Sequence, residues 1–397
     1  MSAKLLFIKY LKNMRKIHLC FISALALMCS SALSADACTG IGLKAKDGSC
    51  VVARTVEWLK DPMNCGYAVV PRGHKQISLT PQGENGLAFK ARYGYVGIYT
   101  EYEKFVVEGV NEAGLSAGLF FFPGFGEYPD FVEARKSESL CDMQLVSWVL
   151  STCSTIDEVK EAIKSVRIIS LDPRVGTVHW RFSQPDGRVV VLEFKGGEPI
   201  FFENPLGTLT NSPSFDFHLT NLRNYVNLVP GAADNQTLII GNSSPSDKRA
   251  DIFGGAQYMG DAGFELSPLG GNSAMLGLPG DFTPPSRFVR AALFSASAPE
   301  WDSAFETVTQ AFHILNNFDI PIGAQHREGM APANLPSATQ FTSATDLSSL
   351  KLYYRTAWNQ NIRCIDLKTI DFSKVKYRTA PLDNSKVQPV EMVSVEG

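Results

Sequence analysis

A removable leader that ends directly before Cys38 is the feature that most constrains what this chain folds into. A positively charged start precedes the short apolar run 19–28, and Ala35 and Ala37 stand where an A-x-A cleavage site needs small residues. The run is too short for a transmembrane helix, which needs about 20 apolar residues. We therefore expect residues 1–37 to be a secretory signal peptide and the mature protein to be periplasmic or secreted. The positive charges of the leader's start include Lys12, Arg15 and Lys16.

The bulk composition fits a globular protein that has no general attraction for nucleic acid. The chain of 397 residues is 45% hydrophobic and 19% charged, which is enough apolar material for a large core. The leader takes five of the 37 basic and one of the 40 acidic residues with it, which changes the formal net charge from −3 to −7. A negative balance without a basic run argues against binding to nucleic acid or anionic lipid. No repeat or linker divides residues 38–397, which we expect to form a single domain.

The cysteines that remain after the leader do not favour a metal site. They are Cys38, Cys50, Cys65, Cys141, Cys153 and Cys364. No CxxC pair and no zinc-type spacing of cysteine and histidine occurs, so we expect neither a metal nor another cofactor. If Cys38 stays free, an odd number is left, and at least one more cysteine is unpaired.

Hydrophobic patterns predict strands at both ends of the mature chain and helices between them. The clearest hairpin turns are Asp47-Gly48 and Pro185-Asp186-Gly187. Gly241–Gly280 is rich in Gly and Ser and is predicted to be a long loop or insertion. The arrangement favours a mixed α+β sandwich. The predicted strands are Cys38–Leu43, Val51–Arg54, Phe105–Val110, Leu115–Phe121, Thr177–Ser183, Arg188–Phe194, Leu352–Trp358 and Ile362–Leu367, and the predicted helices are Ser137–Leu150, Thr155–Val166, Phe215–Leu228, Arg287–Ala296 and Trp301–Leu315.

Cys38 carries two titratable groups once it is N-terminal. A thiol has an ordinary pKa of about 8.5 and an α-amino group about 7.7–8.0, so the residue's own amine can take the thiol proton without a distant histidine. This is how an N-terminal nucleophile is activated. Two other interpretations stay open. Cys38 is merely the residue after a cleavage site, or it is a lipoprotein cysteine whose amine is acylated, a signal that Ala35 and Asp36 fit poorly.

Three polar residues are candidates to assist Cys38. If the first two strands pair across their turn, Arg54 returns beside Cys38, where a guanidinium stabilises a thiolate. Glu57 is placed to hold an α-ammonium, and the Asn211 amide is placed to donate to an oxyanion. The competing interpretations are a surface ion pair for Arg54 with Glu57 and a turn or helix cap for Asn211. The histidines outside the leader have no flanking motif and are interpreted as structural: His74, His179, His218, His313 and His326.

A long, ordered set of motifs resembles the choloylglycine hydrolase family of N-terminal nucleophile hydrolases, which includes bile salt hydrolases and penicillin V acylases. The resemblance runs from Cys38 to about Leu367, nearly the whole mature chain. The motifs are Cys38-Thr39-Gly40, Lys46-Asp47-Gly48, Arg54-Thr55-Val56-Glu57-Trp58, Asn111-Glu112-Ala113-Gly114-Leu115, Ala117-Gly118-Leu119, Phe122-Pro123-Gly124, Leu209-Thr210-Asn211-Ser212-Pro213, Phe215-Asp216, Leu278-Pro279-Gly280-Asp281-Phe282-Thr283-Pro284, Ser286-Arg287-Phe288 and Phe312-His313-Ile314-Leu315-Asn316-Asn317.

The resemblance implies a four-layer αββα fold, assembly into a homo-oligomer, namely a homotetramer, and a role for each matching residue. Cys38 matches the nucleophile, with its amine as general acid and base. Arg54 matches the arginine beside the thiol, Asn211 the oxyanion-hole asparagine, and Arg287 an outer active-site arginine. Glu57 stands where the family usually has Asp, so its contact with the amine reaches one methylene further.

Phe120 is the larger departure from the family's pattern. Bile salt hydrolases often carry Asn at the position matched to Phe120, and penicillin V acylases often carry Tyr. In the family the backbone N–H there contributes to the oxyanion hole, which Phe can still supply, whereas the side-chain cue to the substrate is lost.

The resemblance predicts hydrolysis of a linear amide, with glycine- or taurine-conjugated bile salts as the leading substrates. Penicillin V and N-acyl homoserine lactones are the alternatives within the family. From other classes, a papain-like peptidase would use Cys50 with a histidine, and a non-catalytic envelope protein would show no turnover. Neither of these two explains the ordered motifs.

Overall fold

The computed structural model describes residues 37–59, 61–172, 176–228, 238–240, 264–266, 274–326 and 329–395. The chain divides into two compact units, one formed by residues before 219 and after 280, and one formed by residues 219–280. The single-domain assignment of residues 38–397 stays a prediction. Most of the predicted loop at 241–280 lies outside the described residues. The larger unit holds every candidate site residue.

The elements are numbered here in chain order. The strands are β1 (Cys38–Lys44), β2 (Cys50–Glu57), β3 (Cys65–Val70), β4 (Lys75–Thr80), β5 (Gly83–Lys90), β6 (Tyr95–Thr100), β7 (Val106–Asn111), β8 (Ser116–Phe121), β9 (Ser139–Cys141), β10 (Arg167–Ile169), β11 (Val178–Ser183), β12 (Val189–Lys195), β13 (Glu198–Glu203), β14 (Leu238–Ile240), β15 (Phe264–Leu266), β16 (Thr339–Asp346), β17 (Lys351–Thr356), β18 (Arg363–Asp366) and β19 (Arg378–Pro381). The α-helices are α1 (Leu145–Thr152), α2 (Ile156–Ile163), α3 (Phe215–Leu222), α4 (Pro284–Ser297) and α5 (Ala304–Leu315). In the smaller unit, β14 and β15 pair antiparallel.

The first sheet has the strand order β1-β2-β16-β17-β18 and is antiparallel throughout. The predicted β1–β2 hairpin is confirmed, and its register sets Cys38 opposite Val56 and Gly40 opposite Arg54. Side chains alternate between the two faces of a strand, so Cys38 and Gly40 share a face. A Cβ on Gly40 would come within 2.9 Å of Phe120 Cζ, so this face is the one turned toward the second sheet.

The second sheet has the order β13-β12-β11-β8-β7-β6-β3-β19. The predicted β7–β8 and β11–β12 hairpins are confirmed within one or two residues. The turn of the second hairpin uses Gly187 at a φ of 90°, a conformation that glycine adopts without strain. Because β8 lies at the centre of this sheet, its inner face looks directly at β1.

Helices cover the outer face of each sheet. On the first sheet, α4 and α5 bury an apolar layer against β1, β2 and β16, formed by Ile41, Val51, Ala53, Ala291, Val308, Phe312, Leu315 and Ala344. On the second sheet, α1 covers the outer face of β7, where a Cβ on Gly109 would meet Leu150 Cδ1 at 2.8 Å and Asn111 donates to the carbonyl oxygens of Leu150 and Cys153. The layers therefore run helix, sheet, sheet, helix. The predicted α+β class and four-layer αββα sandwich are confirmed.

One predicted helix is wrong in its first half. The sequence predicted a helix over Ser137–Leu150, whereas α1 begins at Leu145. Residues Ser139–Cys141 form β9, which pairs in parallel with β10. The apolar spacing of this segment satisfies burial in either conformation, and pairing with a distant strand decides between them.

Candidate active site

Cys38 opens β1 and is buried between the two sheets. Its backbone nitrogen donates to Asn211 Oδ1 at 2.7 Å. Burial raises the pKa of the thiol, while the guanidinium of Arg54 and the backbone N–H of Phe121 act to lower it. Ala37, directly before it, is also buried, and its carbonyl oxygen accepts from the Glu57 N–H at 2.9 Å.

Arg54 reaches from the first sheet into the second beside the thiol. It is 1% exposed, and its guanidinium lies 4.0 Å from the centre of the Phe120 ring. One of its terminal nitrogens donates both to the Val107 carbonyl oxygen on β7 and to the Leu119 carbonyl oxygen on β8. These two carbonyls belong to the neighbouring strands β7 and β8, so the Arg54 guanidinium supplies the donor that a backbone N–H supplies elsewhere between the two strands. The predicted proximity of Arg54 to Cys38 is thereby seen in the structure.

The backbone donor that faces Cys38 belongs to Phe121, which corrects the sequence-based choice of Phe120. Phe122 N donates to the Thr177 carbonyl oxygen at 2.7 Å, so alternate residues of β8 bond to β11, and Phe120 pairs with His179 in that ladder. The N–H and C=O of Phe121 point away from β11, toward the side of β7, at a position beyond the last residue pair of β7 with β8. The N–H meets the Cys38 thiol, and the C=O accepts from Asn211 Nδ2 at 2.7 Å.

Arg287 and Asn211 close the opposite side of Cys38. Arg287, on α4, donates to the Cys38 carbonyl oxygen, to Thr39 Oγ1 at 2.9 Å and to Asn211 Oδ1 at 2.8 Å. Asn211 Oδ1 thus accepts from both Arg287 and the Cys38 nitrogen. The segment before it is fixed to β1, because Gly40 and Leu209 exchange backbone hydrogen bonds at 2.7 and 3.1 Å.

Glu57 is buried close to Cys38 without a full set of partners. Its Oε1 accepts from Thr339 Oγ1 at 3.4 Å, and within the described residues its Oε2 has no hydrogen-bond donor. Burial raises the pKa of Glu57 to about 8, although the nearby Arg287 acts to lower it. With this pKa, the carboxyl group is mostly protonated at neutral pH.

The buried charges around Cys38 leave a positive excess at neutral pH. Burial lowers the pKa of Arg287 to about 10, which still leaves it cationic. Arg181 donates to Glu108 Oε1 at 2.9 Å, and Arg54 lies 3.7 Å from the other oxygen of the same carboxylate. Arg54 and Arg181 thus share the Glu108 carboxylate, and Arg287 is a third cation near Cys38. Arg54 and Arg287 act to lower the pKa of the thiol, but burial outweighs them and the pKa is raised overall.

Two histidines that carry no motif lie behind Asn211. His179 Nε2 is 2.9 Å from the Thr210 carbonyl oxygen, and His218 Nε2 is 2.8 Å from the Asn211 carbonyl oxygen. Sequence reasoning interpreted both as structural, and likewise overlooked Glu108. Their positions follow from sheet register and loop path, neither of which a local pattern contains.

The described residues offer no cluster of three or more His, Cys, Asp or Glu side chains that could hold a metal ion. Among the helices of the same residues, none has the length and apolar character needed to cross a membrane.

Comparison with known proteins agrees with this constellation. The sequence model of the linear amide C–N hydrolases, choloylglycine hydrolase family, matches residues 38–245 and 255–381. The chain belongs to the choloylglycine hydrolase family. It is therefore a linear amide C–N hydrolase, and the alternatives of a papain-like peptidase and a non-catalytic envelope protein are set aside.

Three relatives illustrate how much of the chain is shared with known proteins. A bile salt hydrolase/transferase of Clostridium perfringens is 30% identical over 350 residues, covering 85% of this chain and 95% of that protein. A penicillin V acylase of Pectobacterium atrosepticum is 23% identical, covering 94% of this chain and 92% of that protein. A crystal structure of a mutant conjugated bile acid hydrolase from Clostridium perfringens superposes with a TM-score of 0.70 at 27% identity, covering 90% of this chain and all of that one.

Proposed function

We propose that the protein is an exported hydrolase that loses residues 1–37 and uses Cys38 as an N-terminal nucleophile on conjugated bile salts. The observation that carries this proposal is the placement of the Cys38 nitrogen. In the uncleaved chain that nitrogen already donates to Asn211 Oδ1 at 2.7 Å, so cleavage before Cys38 would leave an α-amine in a prepared position.

Glu57 supports the same proposal. A buried carboxyl oxygen without a donor is costly, and Glu57 Oε2 is such an atom among the described residues. An α-ammonium created at Cys38 would bring a cation into this surrounding. Glu57 is one methylene longer than the Asp usual in the family, and under this proposal its carboxyl group still contacts the amine.

In the proposed reaction, the amine of Cys38 accepts the thiol proton and Sγ attacks the amide carbonyl carbon. A C–S bond forms, and the carbonyl electrons move to oxygen, where we assign the Phe121 N–H and the second hydrogen of Asn211 Nδ2 as donors. The C–N bond then breaks, and the α-ammonium gives its proton to the leaving amine. Water attacks the thioester, the amine takes the water's proton, and the carboxylic acid leaves as the thiol is restored.

Cys38 and the secreted protein's N-terminus provide the decisive experiment. We expect an intact mass that begins at Cys38 without acylation, and hydrolysis of glycocholate and taurocholate that Cys38→Ser and Cys38→Ala abolish. Cys364→Ser is the matched control, since Cys364 is a free, exposed cysteine on β18. Undiminished turnover in either Cys38 variant, or an active protein that retains residues before Cys38, contradicts the proposal.

Penicillin V is the second candidate substrate, with N-acyl homoserine lactones third. The aromatic pair Phe120 and Phe121 favours the acylase alternative, because bile salt hydrolases often have Asn in this region of the resemblance. A panel of the three amide classes, compared by kcat/KM, ranks them. A kcat/KM for penicillin V above that for both bile salts would make penicillin V the first candidate substrate and the bile salts the second.

We also propose a homotetramer in the periplasm or outside the cell. The resemblance to the choloylglycine hydrolase family supports the assembly, and the leader pattern supports export. Light scattering of the secreted protein tests the first, and fractionation with immunodetection of the mature chain tests the second.

A further inference from the structure

His179 contacts both segments that face Cys38. It lies fully buried on β11, and its imidazole stacks on the ring of Phe122 with centroids 4.3 Å apart and planes 8° from parallel. Its Nε2 lies 2.9 Å from the Thr210 carbonyl oxygen. Phe122 follows the residue whose N–H meets the thiol, and Thr210 precedes the residue whose amide binds the Cys38 nitrogen. One side chain therefore touches the chain immediately beside each donor.

The hydrogen bonds of His179 determine how many titratable protons the imidazole and the Glu193 carboxyl group hold together. Its Nδ1 lies 3.1 Å from Glu193 Oε1, and that oxygen also accepts from the Phe215 N–H at 2.9 Å. A carbonyl oxygen only accepts, so Nε2 must carry a hydrogen to bond Thr210. Nδ1 then either carries a hydrogen beside a carboxylate or accepts one from a carboxylic acid. In both cases the buried pair holds two protons and has no net charge.

His218 supports the same loop but does not reach β8. Burial lowers the pKa of His218 to about 4, so the ring is neutral, and its Nε2 donates to the Asn211 carbonyl oxygen at 2.8 Å. It stacks on Phe288 of α4. The carbonyl oxygens of Thr210 and Asn211 thus each face an imidazole nitrogen. Of the two histidines, His179 also packs against Phe122, the residue after the Phe121 N–H.

We propose that His179 is a positioning residue that fixes the spacing of the Phe121 N–H and the Asn211 amide around Cys38, and that Glu193 keeps it in the required protonation state. The inference rests on the proposed function, in which those two groups stabilise the oxyanion. Misplacing a catalytic group by about 1 Å costs up to about 100-fold in rate. His179 needs no contact with the substrate to have such an effect.

Two substitutions at position 179 separate its contacts. Glutamine places an amide nitrogen near the position of Nε2 and retains the donor to Thr210. Asparagine places one near the position of Nδ1 and retains the donor to Glu193. His179→Gln therefore leaves Glu193 without its partner and is expected to be the less stable variant, whereas His179→Asn frees the loop.

We expect His179→Asn to lower kcat by about 10- to 100-fold with KM changed by less than about threefold, and His179→Gln to stay within about fivefold of the wild type. Glu193→Gln is expected to lower kcat by about 10-fold. With a neutral His179 that bonds Thr210, the amide that this substitution introduces cannot serve both Nδ1 and the Phe215 N–H. The variants are assayed as secreted, mature protein, and Tm is measured for each.

Alkylation of Cys38 by iodoacetamide, located by peptide mass, provides a readout independent of turnover. The Phe121 N–H lowers the pKa of the thiol, so a displaced strand is expected to slow alkylation of His179→Asn at pH 7 by at least about threefold. If the wild type hydrolyses none of the amides, the proposed function fails and the alkylation rates alone decide this inference. Equal alkylation and equal kcat for both variants, or losses of kcat that follow the order of Tm, overturn it.

Discussion

Replacing Glu57 by Gln in the uncleaved chain tests the electrostatics of the site most directly. The carboxyl pKa rises from 4.5 to about 8 on burial. The folded state therefore binds a proton more tightly than the unfolded state does, and this contributes stability that is complete below pH 4.5 and is lost as the pH rises through 8. At 1.36 kcal/mol for each tenfold change in affinity, the loss is about 5 kcal/mol.

The Glu57→Gln side chain is neutral at every pH and carries no such dependence. We expect the wild-type free energy of unfolding, relative to Glu57→Gln, to fall by about 5 kcal/mol between pH 4.5 and 9. Urea unfolding at five pH values measures this, with Ala35→Glu added to both proteins so that the proposed cleavage site is lost and residues 1–37 are retained. Taking the difference between the proteins removes the contributions of other titrating groups.

Glu161→Gln is the control, because Glu161 is exposed on α2. Its ion pair with Lys164 is exposed to solvent, so this substitution should change the free energy of unfolding by less than about 1 kcal/mol at each pH. In the mature chain the proposed α-ammonium at Cys38 offers Glu57 a partner, so the pH dependence there is expected to be smaller. A Glu57→Gln difference that varies by less than about 1 kcal/mol in the uncleaved chain refutes the reasoning.

Three further changes have defined outcomes. Arg54→Met leaves two buried carbonyls without a donor and should lower the free energy of unfolding by about 2–4 kcal/mol, and it should slow alkylation of Cys38 at pH 8 because a cation beside the thiol is lost. Gly40→Ala, whose Cβ would meet Phe120 Cζ at 2.9 Å, should lower Tm and cost about 1–3 kcal/mol in urea unfolding. Thr155→Ala removes the N-cap of α2 and should cost about 1 kcal/mol, whereas Thr155→Ser should be neutral in the same measurement.

Local sequence patterns predicted the hairpins well, and through the first hairpin they predicted that Arg54 lies beside Cys38. A turn with a glycine at positive φ fixes the β1–β2 register, and that register alone returns Arg54 to Cys38. The ordered motifs added Asn211 and Arg287, which no spacing argument would bring together across such a distance. The chemical roles of these residues stay predictions.

The strand register of the second sheet explains why sequence reasoning chose the wrong backbone donor. Alternation tells which side chains of β8 share a face, but the direction of each N–H depends on which neighbour the strand bonds. The choice between Phe120 and Phe121 follows from the ladder with β11 and from the early end of β7. A local pattern contains neither partner.

Strand β16 shows a second limit of sequence patterns. Its sequence is rich in Thr, Ser and Gln, yet every residue of it is buried. Polar residues of this kind predict a loop, because periodicity methods rely on apolar side chains. Here the strand lies between β2 and β17, and its backbone hydrogen bonds and hydroxyl partners compensate for burial.

The buried position of Ala37 bears on the proposed cleavage before Cys38, because it limits when that peptide bond is accessible. Ala37 and Cys38 are 1% and 7% exposed, and the Ala37 carbonyl is already bonded to Glu57. An endopeptidase needs its substrate extended and accessible, so it reaches this peptide bond only while β1 is detached from the sheet. Under the proposed function, processing must therefore precede folding, and a copy that folds first keeps a blocked nitrogen at Cys38. The time between translocation and closure of the sheet would then set the yield of active enzyme.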